Sequence, residues 1–223
     1  VIQRIPPSYI IFIMEDNTMD YEKLRSALAQ RKPGSMDGRP PCAVLVPLVR
    51  HNGEDCLLFE LRSACLHWQP GEVCFPGGRM EPGETPSQCA LRETWEELGI
   101  QPQSVRLLGE ADFLYLRSEA LMRPVAGLLP PLTREDLTLN PQEVSSVFSV
   151  PVKWLAENPP EVYRYPLRPE VGEDFPYDAV RTPEKYTWAP GSMEVPVYRG
   201  LPYPLWGLTA RITKKFIEVY QYL

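Results

Sequence analysis

The stretch that decides the fold is residues 78–100, GRMEPGETPSQCALRETWEELGI. Apolar side chains recur at helical spacing within it and predict one face of a helix directed at the core: Leu91, Trp95 and Leu98. Three carboxylates spaced i, i+3 and i+4 share the opposite side: Glu93, Glu96 and Glu97. The stretch therefore predicts an amphipathic helix that presents three glutamates within a single turn.

The ends of this helix are marked by residues with capping roles. Thr85 is predicted as the N-cap, and Pro86 stands at the first helical position, where its missing N–H costs nothing. Gln88 completes a capping box with Thr85, and Gly99 supplies the C-terminal stop. The predicted helix thus covers residues 86–98 and follows a loop.

The glutamate cluster has two interpretations. One is the solvated acidic face of an ordinary amphipathic helix. Two penalties weigh against it, because like charges at i and i+4 repel and because the helix macrodipole disfavours anions near its C-terminus. A bound hard cation relieves both penalties, and carboxylate oxygens suit Mg²⁺ or Mn²⁺. We therefore expect a divalent cation at this patch.

The spacing of these residues resembles the Nudix box, G-x5-E-x7-R-E-U-x-E-E-x-G-U. The matching positions are Gly78, Glu84, Arg92, Glu93, Glu96, Glu97, Gly99 and Ile100. Thr94 alone departs, standing where the family has an aliphatic residue, and we expect only a packing consequence. The resemblance implies an α/β (α+β) fold of the Nudix type, an α/β/α sandwich with a mixed β-sheet, and an enzyme rather than a structural domain.

A second resemblance lies upstream of the box. Arg62-Ser63, Gly71 and residues 75–78 (FPGG) are similar to the signature L-L-T-x-R-S-x3-R-x3-G-x3-F-P-G-G of the coenzyme A pyrophosphatase branch. Glu60 stands in place of the threonine, and His67 in place of the second arginine, which removes one cationic contact to a phosphate. With weaker matches further along, the resemblance covers most of residues 43–216.

This resemblance implies magnesium-dependent cleavage of coenzyme A or acyl-coenzyme A to phosphopantetheine and adenosine 3′,5′-bisphosphate. The departures at Glu60 and His67 leave open a pyrophosphatase for ADP-ribose or another nucleoside diphosphate derivative. A non-catalytic Nudix-like binding module is the alternative from another class. Such modules usually lack some of the metal-binding glutamates, which are intact in this chain.

The resemblance also implies roles for single residues. The expected metal ligands are Glu93, Glu96, Glu97 and the Gly78 carbonyl, and the expected substrate-binding residues are Arg62, Ser63, Gly77 and Gly78. Arg92 is expected to pair with Glu84 and to orient the acidic cluster. The general base stays open between Glu97 and Glu143, because Nudix enzymes do not all take it from the same place.

Outward from this region, patterning predicts the remaining elements. A leader and a short helix occupy residues 1–40, and the Nudix domain covers residues 41–223 with a long insertion of little periodicity near residues 159–204. The predicted elements are a helix at Tyr21–Gln30, a hairpin of Ala43–Val49 and Cys56–Leu61, strands within Gly71–Phe75, Val105–Leu116 and Leu121–Leu129, and helices at Pro151–Asn158 and Leu205–Tyr222. Trp206 is expected to anchor the last helix against the sheet.

Composition limits the partners. Hydrophobic residues make up 43% and charged residues 23% of the chain, which predicts a soluble globular protein without a membrane span. A net charge of −6 argues against nucleic acid binding. Five cysteines without CxxC spacing are interpreted as reduced, buried thiols of a cytoplasmic protein. Dimers are common among relatives, so a homodimer stays open.

Overall fold

The computed structural model describes residues 20–31, 39–51, 53–116, 120–183 and 186–221. The chain divides into two compact units, residues 1–38 and 39–223. In the first unit the predicted helix is present as α1 (Tyr21–Gln30), and its N-cap Asp20 accepts a hydrogen bond from the Lys23 backbone N–H. The leader predicted at residues 1–18 lies outside the described residues.

A mixed sheet forms the centre of the second unit. Its eight strands in the described residues are β1 (Cys42–His51), β2 (Glu54–Arg62), β3 (Val73–Cys74), β4 (Gly77–Arg79), β5 (Arg106–Glu110), β6 (Leu114–Tyr115), β7 (Leu121–Leu128) and β8 (Val144–Pro151). The order is β3-β2-β1-β7-β5, with β4 also on β1, β6 on β7 and β8 on β2. The antiparallel β1–β2 pair confirms the predicted hairpin, and β1 runs parallel to β7.

Four helices in the described part of this unit accompany the sheet: α2 (Pro86–Leu98), α3 (Val152–Glu157), α4 (Tyr177–Val180) and α5 (Gly207–Tyr220). Because strand side chains alternate, Leu45 of β1 packs in the same buried cluster as Leu98 of α2, whereas Val46 packs with Ile212 of α5. The sheet therefore has a helix-covered core on each face. This architecture confirms the predicted sandwich with a mixed sheet.

The ends of α2 agree with the sequence prediction. Thr85 Oγ1 accepts a hydrogen bond from the Gln88 backbone N–H at 3.3 Å, and Gln88 Oε1 accepts one from the Thr85 backbone N–H at 2.9 Å. Gly99 adopts a left-handed conformation with φ of +74° and donates its N–H to the Trp95 carbonyl. The capping box and the glycine stop are confirmed.

The buried face of α2 differs from the prediction. Thr94 is fully buried, and its hydroxyl donates to the Ala90 carbonyl, whereas Trp95 is 48% exposed. With 3.6 residues per turn, Trp95 points roughly 140° away from Ala90, which packs against the sheet. Trp95 was therefore wrongly assigned to the core face. The helix instead turns Ala90, Thr94 and Glu97 toward the sheet.

The segment near residues 159–204 is more regular than its composition predicts. β9 (Glu161–Leu167) and β10 (Gly191–Tyr198) pair antiparallel, and β11 (Leu205–Trp206) adds a third strand. The final helix therefore begins at residue 207, two residues later than predicted. In the extended β11 backbone Leu205 points inward and Trp206 outward, so the predicted anchoring role of Trp206 is wrong.

All five cysteines are free thiols, in agreement with the prediction of reduced cysteines. Cys56 and Cys89 are buried, but Cys65 is exposed because it lies in the loop after β2. The expectation of burial is wrong for Cys65. Within the described ranges, no helix combines the length and apolar character that crossing a bilayer requires.

Candidate active site

The Gly77–Gly78 turn is the start of the short strand β4, directly after the bend at Pro76, and it lies between strand β1, with which it pairs, and helix α2. A Cβ atom at Gly77 would overlap the carbonyl oxygen of Ala43, and one at Gly78 would overlap the carboxylate of Glu93. Glycine is therefore required at Gly77, where the contact is with backbone, whereas a side chain at Gly78 would displace the Glu93 carboxylate. The turn brings its backbone directly against the glutamates of α2.

Glu97 is buried and accepts a 2.9 Å hydrogen bond from the Gly77 backbone N–H. Burial raises the pKa of Glu97, and the carboxylate of Glu60 raises it further. An ionised carboxylate in this position lacks the solvent that would normally stabilise it. A cation beside Glu97 would compensate for the lost hydration.

Arg92 organises the outer part of the acidic cluster. Its Nε and Nη2 atoms donate to the two carboxylate oxygens of Glu84 at 2.9 and 3.1 Å, a bidentate geometry. Its Nη1 atom donates to Glu93 at 2.8 Å and to Glu96 at 3.1 Å. Hydrogen bonding from Arg92 lowers the pKa of Glu84. The predicted Glu84–Arg92 pair is present, and the arginine also contacts two of the expected metal ligands.

Glu143 lies in the turn before β8, and Ser63 holds that turn in place. The Ser63 backbone N–H donates to the Glu143 carbonyl at 2.8 Å, and the Ser63 hydroxyl donates to the Pro141 carbonyl at 3.1 Å. The Glu143 carboxylate raises the pKa values of Glu60, Glu93 and Glu97. The structure therefore associates Glu143 electrostatically with the cluster and uses the Ser63 side chain to position its turn.

Arg62 ends strand β2 beside the glycine turn. Its Nη2 atom donates to the Trp68 carbonyl at 3.4 Å, while its buried Nε has no hydrogen-bond partner in the described part of the chain. Arg62 and Gly77 both line one cavity of 160 Å³. The Arg62 guanidinium therefore lies at the cavity that adjoins the turn contacting Glu97, and its unpaired Nε is buried.

The NUDIX domain family matches residues 39–170, more than half of the chain and including the whole of the glutamate helix. The chain belongs to the NUDIX family. The family membership predicted from the glutamate spacing is thereby confirmed, and the match includes residues 78–100, which carry the Nudix-box pattern.

Three relatives illustrate the similarity of this Nudix protein. Nudix hydrolase 3 of Caenorhabditis elegans is 38% identical over 136 residues, 59% of this chain and 57% of that protein. The peroxisomal coenzyme A diphosphatase of Mus musculus is 37% identical over 134 residues, 60% and 55% of the two chains. The mitochondrial coenzyme A diphosphatase of Mus musculus is 33% identical over 203 residues, 90% and 87%. The chain therefore matches little more than half of the first two relatives.

Sequence reasoning missed one member of the Nudix acidic cluster. Glu60 was noted only as a departure from threonine, yet its side chain is fully buried and its Oε1 has no partner among the described residues. Burial raises the pKa of Glu60, and neighbouring Glu143 and Glu93 raise it further. The sequence did indicate its burial, because Glu60 lies within the apolar run Cys56–Leu61, whose side chains are expected to be buried.

The donor set of this Nudix domain suits a hard divalent cation. Its charged groups are carboxylates, and those of Glu60, Glu93 and Glu97 are buried enough that burial is the main cause raising each pKa. Among the described residues, no three acidic, histidine or cysteine side chains stand in position to hold a metal ion. Arg92 engages Glu93 and Glu96, while Glu97 is turned to Gly77. Metal ligation requires these side chains to rearrange.

Proposed function

We propose that this chain is a Nudix pyrophosphohydrolase that cleaves coenzyme A or acyl-coenzyme A into phosphopantetheine and adenosine 3′,5′-bisphosphate. The observation that carries the proposal is the buried Glu97 carboxylate held against the Gly77–Gly78 turn beside the unsatisfied Arg62. This arrangement combines an acidic metal-binding cluster with a cationic donor for phosphate. The two relatives named as coenzyme A diphosphatases support the choice of substrate.

The proposed cation is Mg²⁺ or Mn²⁺, with Glu93, Glu96, Glu97 and the Gly78 carbonyl as ligands. When bound, a divalent cation polarises phosphoryl oxygens and lowers the pKa of water at the site. Arg92 is proposed as a positioning residue, because it already holds two of these glutamates and is itself fixed by Glu84. The bidentate contact with Glu84 fixes the position of the Arg92 guanidinium along the axis of α2.

The proposed substrate contacts lie on the other side of the glycine turn. The Arg62 guanidinium, which lines the cavity beside Gly77, is the proposed donor to a phosphate oxygen, and the Gly77–Gly78 backbone contacts the diphosphate without interference from a side chain. Ser63 contributes by fixing the turn that carries Glu143. The proposed proton acceptor for the attacking water is Glu97 or Glu143, whose negative charge helps to raise the pKa of Glu97.

A second candidate substrate is ADP-ribose or another nucleoside diphosphate derivative. The observation that favours it is the presence of Glu60 and His67 at two positions of the coenzyme A signature. In this case the diphosphate chemistry is unchanged and the leaving groups differ. A binding module without turnover is less well supported, since every glutamate of the Nudix box is present.

The deciding experiment supplies coenzyme A, acetyl-coenzyme A, ADP-ribose and dinucleotides to the purified chain with and without Mg²⁺, and identifies products by mass spectrometry. Metal-dependent release of phosphopantetheine and adenosine 3′,5′-bisphosphate is expected. Preferred cleavage of ADP-ribose would support the second candidate. Absence of turnover with Mg²⁺ and with Mn²⁺ would contradict an enzymatic function and favour a binding module.

The cellular location and the oligomeric state of the chain are also part of the proposal. The cytoplasmic location and the homodimer stay predictions, and two relatives are named as peroxisomal and mitochondrial proteins. A small-molecule substrate, rather than nucleic acid, remains the proposed partner because the chain carries a net charge of −6. Fractionation of the source cells and sedimentation of the purified chain test these points.

A further inference from the structure

Two adjoining cavities lead outward from the glycine turn. The inner one, of 160 Å³, is lined by Arg62 and Gly77, and the outer one has a volume of 540 Å³. Four residues line both cavities: Gln69, Glu72, Trp206 and Leu208. We call the two together the aromatic cleft. Its inner cavity lies beside the proposed diphosphate site, and its outer cavity adjoins the inner one at these four residues.

The outer end of the aromatic cleft is lined by exposed rings. Trp68 is 77% exposed, Tyr115 is 68% exposed and Trp206 is 44% exposed, and all three line the outer cavity. Large apolar side chains gathered in a solvent-accessible cavity indicate a binding surface. Flat rings of this kind stack on nucleobases whatever the base sequence. The lining therefore suits a planar aromatic ligand.

Trp68 contacts Arg62, the arginine of the proposed phosphate site, through its backbone. Arg62 donates to the Trp68 carbonyl at 3.4 Å, and the next residue, Gln69, has a φ of +52°. The ring of His67 stands edge-on to Trp68 with centroids 5.6 Å apart. A ligand whose phosphate is held by Arg62 is thus placed close to the loop that carries Trp68.

The charged side chains of the aromatic cleft indicate that its ligand carries a further anionic group. Arg211 is the cation of the outer cavity, and its charge helps to lower the pKa of Glu194, although no ion pair joins these two side chains among the described residues. The nearby carboxylates are already engaged, because Glu72 accepts from Gln69 at 3.1 Å and Glu194 accepts from Arg164. Arg211 is therefore available to an anionic group placed away from the scissile diphosphate.

We infer that the aromatic cleft binds the purine nucleotide half of the substrate, with the base against Trp68, Tyr115 and Trp206 and a ribose phosphate ester at Arg211. This inference rests on the proposed function for the location of the diphosphate at the inner end. Phosphopantetheine carries its phosphate only at the scissile linkage, so it has no group for Arg211. Adenosine 3′,5′-bisphosphate supplies both a base and a second phosphate.

Calorimetric binding of products to the full chain tests the inference without turnover. Trp68→Ala and Trp206→Ala are expected to weaken adenosine 3′,5′-bisphosphate binding by about tenfold each, with phosphopantetheine binding unchanged. Trp68→Phe, which keeps a ring, is expected to restore most of the affinity. Tyr220→Ala removes an exposed aromatic side chain outside the cleft and serves as the matched control.

A second comparison isolates the phosphate contact. Arg211→Gln is expected to abolish the preference of the chain for adenosine 3′,5′-bisphosphate over adenosine 5′-monophosphate, which lacks the second phosphate. Unchanged preference would overturn the role of Arg211. The assignment of the cleft would be overturned if the tryptophan variants lost phosphopantetheine binding. It would also be overturned if these variants bound both products as tightly as the wild-type chain does.

The outcomes separate this inference from the proposed function. If the wild-type chain cleaves coenzyme A but the tryptophan variants bind adenosine 3′,5′-bisphosphate normally, the cleft assignment fails and the function stands. If the chain leaves coenzyme A intact yet binds the nucleotide through Trp68 and Trp206, the function fails and the cleft assignment stands. Thermal unfolding of each variant confirms that the fold is retained.

Discussion

The backbone N–H of Gly77 donates a 2.9 Å hydrogen bond to Oε2 of Glu97. This bond joins the start of β4 to the last turn of α2 and holds one carboxylate of the Nudix box against the sheet. Because Glu97 is buried, this hydrogen bond forms out of contact with solvent. The bond therefore sets the position of Glu97 relative to the Gly77–Gly78 backbone in the proposed site.

Replacing Gly78 tests the close contact between the turn and α2. Gly78→Ala places a methyl group on the Glu93 carboxylate, and we expect kcat/KM to fall by about 100-fold because displacement of a positioning group by about 1 Å has that effect. Gly191→Ala in β10 is the control, since its new methyl group makes an ordinary contact with Leu167. Equal activity of the two variants would contradict the proposed geometry.

Glu97→Gln keeps the size of the side chain and removes its charge. We expect kcat to fall by at least about 100-fold, with weaker Mg²⁺ dependence, because the carboxylate is a proposed ligand and candidate base. Glu157→Gln, at an exposed site on α3, is the matched control and should retain parent activity. Parent-level turnover by Glu97→Gln would show that the metal-site assignment is wrong.

Arg92→Lys separates the geometry of the arginine from its charge. Lysine cannot donate to both oxygens of Glu84 and still contact Glu93, so we expect the free energy of unfolding to fall by about 1.5–3 kcal/mol. Urea denaturation measures this change. Arg199→Lys removes a similar but exposed contact with Glu161 and should have a smaller effect. An equal loss in both variants would contradict the organising role of Arg92.

The buried carboxylates predict a pH dependence of stability without divalent cations. Burial raises the pKa values of Glu60 and Glu97, so the folded state holds more protons than the unfolded state once the pH exceeds the usual glutamate range. Stability must then fall as pH rises toward the raised folded-state values. We expect a lower Tm at pH 8 than at pH 6 in EDTA, and recovery at pH 8 with Mg²⁺.

A variant identifies the groups responsible. Glu60→Gln removes one of the two titrating carboxylates and is expected to reduce the difference in Tm between pH 6 and pH 8 in EDTA. Glu54→Gln, at an exposed position at the start of the same strand, provides the control. A difference that is unchanged in Glu60→Gln would show that this side chain does not cause the pH dependence.

Local spacing was enough to predict much of helix α2. The capping box of Thr85 and Gln88 and the glycine stop depend on residues a few positions apart, so their geometry is encoded within the segment. The pairing of Glu84 with Arg92 was also accessible, since the family pattern fixes their separation. The hairpin of β1 and β2 was predictable because a short turn joins two apolar runs.

Long-range packing decided the remaining features. The direction of the α2 core face depends on where the sheet lies, and contact with it exposes Trp95 while burying Thr94. β9 and β10 find each other across a long connection with weak periodicity, which no local pattern reveals. Pairing with β10 likewise turns Trp206 toward solvent and into the aromatic cleft.

The sequence by itself determined the family, the capped helix and the order of the three glutamates along it, because these depend on short spacings. The tertiary structure alone decided that Glu60 joins them, since this carboxylate lies on a strand distant in sequence from α2. It also placed Arg62 beside Gly77 at the inner end of the cleft. Electrostatic coupling depends on distance in space and on burial, and both exist only once the chain has folded.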